Sequence, residues 1–169
     1  MKQLSQLLSQ INEKIGTATA WLTVLLMVWV CFDVAMRYIF NNSVAWRTEL
    51  EWHIFALIFL FGAGYALKHD KHVRVDLFYA KFSEKQKAVV NFLGTLLFLI
   101  PWCVVILMAS YRYAHNSWLM NEGSPDNGLP ARYLIKFAIT IGMGLLLLQA
   151  ISLLINSLLT LFQKPKPPN

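Results

Sequence analysis

The chain has 169 residues, 57% hydrophobic and 14% charged, whereas a soluble domain is about 45–50% apolar and about 25% charged. A domain of this length cannot hide so much apolar surface, so a soluble globule is excluded and lipid is the natural solvent. The net charge of +6 is scattered in short segments between apolar runs, without a basic helix or an aromatic-interleaved groove, which excludes nucleic acid as a partner.

In residues 1–14, Leu4, Leu7, Leu8 and Ile11 recur at three- and four-residue steps, while Lys2, Ser5, Gln6, Ser9, Asn12 and Glu13 fill the other face. This pattern predicts an amphipathic helix lying in the inner interface or against a partner helix; a plain extension of the first span is the alternative. The first span covers residues 15–39 and is apolar apart from Asp33 and Arg37. It is too long for a signal-peptide core and lacks a small-residue cleavage site, so it is expected to be retained. The short turn Asn41-Asn42-Ser43 leads into a second span over 44–67, with Glu49, Glu51 and His53 in its first turns. A third span over 88–111 and a fourth over 137–162 carry no charge, and each is long enough to cross about 30 Å of hydrocarbon. Pro101 frees the carbonyl of Leu97 and predicts a kink in the third span. The prolines of residues 163–169 predict a short disordered tail. Cys31 and Cys103 both lie inside apolar runs, which leaves neither a disulfide framework nor a CxxC metal site.

Lys and Arg accumulate on the cytoplasmic side of a membrane. Lys2, Lys14, Lys68, Lys71, Arg74, Lys81, Lys85, Lys87, Lys164 and Lys166 fall on one side, against Arg37, Arg47, Arg112, Arg132 and Lys136 on the other. The expected fold is therefore an all-α integral membrane protein with four transmembrane helices, an N-terminal amphipathic interfacial helix and both termini cytoplasmic. The basic inner side predicts contact with anionic lipids at the inner face, and Trp46 and Trp52 are expected as interfacial anchors at the outer ends.

The middles of the spans, near Met27, Leu57, Ile100 and Leu148, hold no ionisable residue, although ion paths and substrate sites in membranes are built from such groups. The intramembrane charges gather instead at the outer ends of the first two spans. Asp33 and Arg37 share a helix face, and the short turn brings Arg37 level with Glu49 and Glu51, predicting an Arg37–Glu49 pair that Asp33 can join. Gly62, Gly64 and Ala66, with Gly142 and Gly144, are small residues that allow close helix packing. His53, His69, His72 and His115 raise the alternative of a haem-carrying four-helix membrane anchor of a respiratory enzyme, but their positions do not face one another within the spans. No nucleophile–base pair or nucleotide motif is present, so an enzyme with a catalytic site is not expected, nor is a cofactor.

Five landmarks occur in order: Arg37-Tyr38-Ile39-Phe40, Ala45-Trp46-Arg47-Thr48-Glu49, Gly62 through Gly64, His72-Val73-Arg74-Val75-Asp76, and Leu129-Pro130-Ala131-Arg132-Tyr133. In this order the chain resembles the small membrane subunit, the DctQ type, of tripartite ATP-independent periplasmic (TRAP) transporters. The resemblance implies a bacterial inner-membrane subunit that partners a large multi-spanning membrane subunit and a soluble periplasmic substrate-binding protein. It further implies uptake of organic acid anions such as sialic acid or C4-dicarboxylates, driven by an ion gradient, usually sodium. His72, Arg74 and Asp76 match a recurring inner-loop motif without a catalytic role. The long outer loop offers Glu122, Asp126 and Arg132 as possible contacts for the binding protein, with a plain connector as the alternative.

Overall fold

The computed structural model of the chain describes residues 2–69, 79 and 82–162. Four long helices carry it: α1 (Lys2–Tyr38), α2 (Ala45–Lys68), α3 (Glu84–Leu119) and α4 (Tyr133–Phe162), each apolar and long enough to cross a membrane. Their number and order agree with the spans expected from hydropathy. No strand occurs among the described residues.

α4 is the hub of the bundle. α1 and α2 pack on each other and both lean on α4, whereas α3 joins the bundle chiefly through α4. Lipid tails are as apolar as leucine, so these contacts rest on close packing and interhelical hydrogen bonds. Gly142 shows the packing directly, because a Cβ there would lie 2.8 Å from the Leu60 Cβ and 3.1 Å from the Leu60 carbonyl oxygen. The remaining apolar surface faces outward, with Trp21, Phe59 and Phe98 each at least 70% exposed.

The amino-terminal segment differs from expectation. α1 runs without a break for 37 residues, about 55 Å at a rise of about 1.5 Å per residue, so residues 2–14 continue the first span and do not form a separate interfacial helix. Its polar face is the packed one: Ser5, Asn12, Gly16 and Thr19 are buried, while Leu4, Leu7 and Ile11 face outward. The cause is the polar inner half of α4. Ser5 Oγ lies 2.8 Å from Ser152 Oγ and donates to Asn156 Oδ1 at 2.8 Å, and Ser9 Oγ also lies 2.8 Å from Ser152 Oγ. Such interhelical bonds contribute roughly 0.6 kcal/mol each inside a membrane.

Further along this seam, the buried Oδ1 of Asn12 and Oε1 of Gln149 have no hydrogen-bond partner among the described residues. Gly64 leaves room for the Asn12 amide there, since a Cβ would overlap Asn12 Oδ1 unless that side chain turned away. Gly62, by contrast, has nothing within 4 Å of a would-be Cβ, so it does not serve packing within this chain as its spacing to Ala66 suggested. Gly144 makes only ordinary contact, at 3.9 Å from Leu107 Cδ1. Gly16, which the sequence did not single out, sits directly against the Tyr65 ring.

α3 absorbs Pro101 by changing its winding. It is α-helical over Glu84–Gly94, makes a π-helical turn over Thr95–Leu99 and returns to α-helix over Ile100–Leu119 with the proline at its start. A π turn beside a proline rehouses a carbonyl that has lost its donor. Cys103 is buried in the α3–α4 contact and Cys31 is exposed on α1.

Candidate functional site

The densest polar arrangement lies where the end of α1 meets the start of α2, the end expected to face outward. α1 stops at Tyr38 because Asn41 takes a left-handed conformation (φ 48), which asparagine tolerates better than most residues. The chain then turns back, and Arg47, two residues into α2, points at α1. Asp33, 2% exposed, accepts from Arg47 Nε at 2.8 Å and from Arg37 at 2.6 Å. The Arg47 guanidinium also donates to the Asn42 carbonyl and, at 3.0 Å, to Asn42 Oδ1. Trp29 Nε1 donates to the Arg47 carbonyl at 3.2 Å, and the Trp29 and Trp46 rings lie 5.9 Å apart. A buried carboxylate is thus held by two cations, and the buried Arg47 also donates to Asn42 through Nη2; such pairing is what a charge needs in order to persist out of water.

This geometry corrects the expected Arg37–Glu49 pair. Arg37 turns to Asp33, one helical turn back, with Thr48 Oγ1 at 3.5 Å, because Asp33 is buried beside it while Glu49 faces the outer loop. Glu49 accepts from Ser124 Oγ and from the Leu129 amide at 2.7 Å. Glu51 stands farther along α2 with no hydrogen bond or ion pair among the described residues. Arg47, which sequence reasoning counted only as an outer-side charge, is the buried partner. Its signal was available: a lone arginine just past a three-residue turn, at the depth of an intramembrane aspartate.

The outer loop is folded, not a slack connector. Glu122 accepts from Ser117 Oγ at 2.6 Å and from the Lys136 ammonium, and that ammonium also lies 3.9 Å from the Tyr113 ring centroid, within cation–π range. The Arg132 amide donates to the Glu122 carbonyl at 2.9 Å, and the Ser124 amide to the Leu129 carbonyl at 3.2 Å. Glu122 is therefore engaged within the loop while its side chain stays 35% exposed, and Arg132 is half-buried where it senses Glu49 and Glu122. Asp126 remains exposed at the tip.

The Lys136 ammonium and then the Ser117 hydroxyl hold the Glu122 carboxyl below its ordinary value of 4.5. A carboxylate whose folded-state pKa is lowered stabilises the fold above its ordinary pKa and loses that contribution as pH falls through the lower folded value. Thermal stability of the purified protein is accordingly expected to drop below about pH 4.5, and Glu122→Gln to flatten that acid limb; an unchanged acid limb in Glu122→Gln would show that the clasp does not titrate.

At the opposite end of α2, Glu13 accepts from Lys68 at 2.7 Å and from His69 Nε2 at 2.8 Å, tying α1 to the close of α2. Trp46 and Trp52 are 39% and 40% exposed, and the Trp52 and His53 rings meet at a tilt of 34° with centroids 4.1 Å apart. His53 Nδ1 lies 2.5 Å from the Glu49 carbonyl, and His115 stacks on Tyr111 at 6.0 Å. No group of three His, Cys, Asp or Glu that could hold a metal occurs among the described residues. His72, Arg74, Asp76 and the 163–169 tail lie outside the described residues.

The arrangement is that of a multi-pass membrane subunit whose charges are paired at its ends. Residues 26–160 match the family model for the DctQ component of tripartite ATP-independent periplasmic transporters, and the chain belongs to that family, whose small permeases are inner-membrane proteins. It is 26% identical over 154 residues to a protein of Haemophilus influenzae assigned as a TRAP transporter small permease protein, covering 90% of this chain and 92% of that relative. It is also 26% identical over 136 residues to the C4-dicarboxylate TRAP transporter small permease protein DctQ of Vibrio cholerae, covering 68% of this chain and 58% of that relative. Proteins of this family are transporter subunits, not enzymes, and work with a large membrane subunit and a periplasmic binding protein. Membership in the family replaces the haem-anchor alternative.

Proposed function

We propose that this chain braces a large TRAP membrane subunit during sodium-driven uptake of organic acid anions, sialic acid or C4-dicarboxylates, handed over by a periplasmic binding protein. The observation that carries this reading is the distribution of charge. Among the described residues the middles of the four spans, near Met27, Leu57, Ile100 and Leu148, hold no Asp, Glu, Lys, Arg or His. A conduit for anions and sodium needs polar groups at the bilayer centre; a brace needs packing faces and fixed ends. The uncovered apolar surfaces of α1 and α3 supply such faces, and the exposed Asp126 is the outer-loop residue left to meet a binding protein. The inner basic side faces anionic lipid in this reading.

Co-expression with the large subunit, followed by reconstitution into liposomes with the binding protein and an imposed sodium gradient, tests the proposal. Uptake is expected only when both membrane subunits are present and is expected to collapse with the sodium gradient. Transport by this chain alone, or undiminished transport without it, would overturn the reading.

A further inference from the structure

Glu49, which takes no part in the Asp33 cluster, fastens the loop of residues 120–132 to the first turns of α2. Its two carboxylate oxygens divide the contact, Oε1 accepting from Ser124 Oγ and Oε2 from the Leu129 amide at 2.7 Å. Gly128 lies directly on this carboxylate, where a Cβ would overlap it. The Ser124 hydroxyl also accepts from the Asp126 amide at 3.3 Å, and the Ser124 amide donates to the Leu129 carbonyl at 3.2 Å. Residues 124–129 therefore form a closed lobe seated on a carboxylate that another helix supplies.

Shaping this loop carries a backbone cost. Of the four non-glycine residues with positive φ among the described residues, three lie in it: Asn121, Asn127 and Ala131. Asparagine tolerates the left-handed region, whereas Ala131, at φ 58, adopts it against its preference. Strain of this kind persists only where the surroundings fix it, and it gathers at sites that must hold one shape. A plain connector between two helices needs neither the strain nor a carboxylate beneath it. What the arrangement leaves free is the tip. Pro125, Asp126 and Asn127 are exposed, and the Asp126 side chain has no hydrogen bond or ion pair among the described residues. A polar tip with an unpaired carboxylate belongs in water and not in lipid. A loop fixed before the encounter lowers the ordering cost of binding, and an exposed charge on it attracts a surface of opposite sign.

We propose that Glu49 is a positioning residue that presents Asp126 to a basic patch on the soluble binding protein. Asp126 makes the contact, its carboxylate accepting from a lysine or arginine of the partner. Glu49, half-buried beneath the lobe, touches no partner and acts only through the tip. The inference rests on the reading of this chain as one subunit of a three-part transporter, with this loop at the end expected to face outward.

The test titrates the binding protein into liposomes that hold both membrane subunits and reads the half-saturating concentration separately from the maximal uptake rate. Asp126→Lys is expected to raise the half-saturating concentration by about tenfold, the size of one charge-assisted contact, with the maximal rate unchanged. Glu49→Ala is expected to raise it by a similar factor, while hydrogen exchange at the Leu129 amide quickens. The double variant should fall no further than Asp126→Lys alone, because a loosened loop has no contact left to misplace. Ser124→Ala, which deletes one donor and keeps the carboxylate, gives the same comparison should Glu49→Ala not assemble. An unchanged half-saturating concentration in Asp126→Lys, multiplied effects in the double variant, or a fall in maximal rate at constant half-saturation would overturn the proposal. Uptake that needs this chain but ignores Asp126→Lys removes the docking tip and leaves the brace standing; uptake that does not need this chain removes the brace instead.

Discussion

Arg47→Ala is expected to destabilise the purified protein by about 3–5 kcal/mol, the usual result of removing one partner from a buried ion pair. Asp33 is 2% exposed and the Arg47 side chain 5%, so the substitution leaves a carboxylate inside the bundle with Arg37 as its remaining cation and also frees the Asn42 groups. Arg37→Ala should cost far less, about 0–1 kcal/mol, because 43% of that side chain is already in contact with its surroundings and exposed pairs are weak. Unfolding in mixed detergent followed by circular dichroism gives the comparison. The double variant Asp33→Ala/Arg47→Ala should be less unstable than the two single effects added, since the pair is removed together. Equal losses for Arg37→Ala and Arg47→Ala, or strict additivity, would mean that the buried pair does not organise the α1–α2 turn.

The second large effect is expected at the α2–α4 crossing. Gly142→Ala places a methyl 2.8 Å from the Leu60 Cβ and 3.1 Å from backbone oxygen, so the helices must separate, at about 1–3 kcal/mol for an overpacked core. The same change at Gly62 meets nothing within 4 Å and should be neutral or stabilising by about 0.5–1 kcal/mol through better helix propensity. Thermal unfolding of the two variants side by side separates a packing glycine from one that only has the right spacing. If Gly142→Ala is as stable as the parent, the close approach of α2 and α4 is not a constraint on the fold.

Hydropathy sufficed to find four spans, because about 20 apolar residues in a row have few alternatives to crossing a membrane. It misjudged where residues 2–14 go for a physical reason. Ser5, Ser9 and Asn12 were placed on the face opposite the leucines with no partner assigned to it, whereas inside lipid the favourable place for a hydroxyl or amide is against another polar group of the protein. Only the position of Ser152 and Asn156, almost the whole chain away, reveals that such a group is waiting. The charged turn was partly legible: Asp33 and Arg37 were placed on one face, but Arg47 joins Asp33 through the turn at Asn42, and the redirection of Glu49 to Ser124 and Leu129 depends on how the loop after α3 folds back over α2. Small-residue spacing was least informative, since Gly62 and Gly142 look alike in sequence and differ entirely in what surrounds them.

The position of α4 at the centre has a consequence for how the protein is made. α4 leaves the ribosome after α1, α2 and α3, yet all three lean on it. The α1–α2 hairpin can close its Asp33–Arg47 pair early, but Ser5 and Ser9 have no mate until Ser152 is synthesised, and α3 has almost no other neighbour. Until then the nascent chain holds an open, half-satisfied intermediate in the membrane. Premature termination before α4 would therefore release not a smaller bundle but a lone hairpin and a detached third helix, the form that membrane quality control is built to remove.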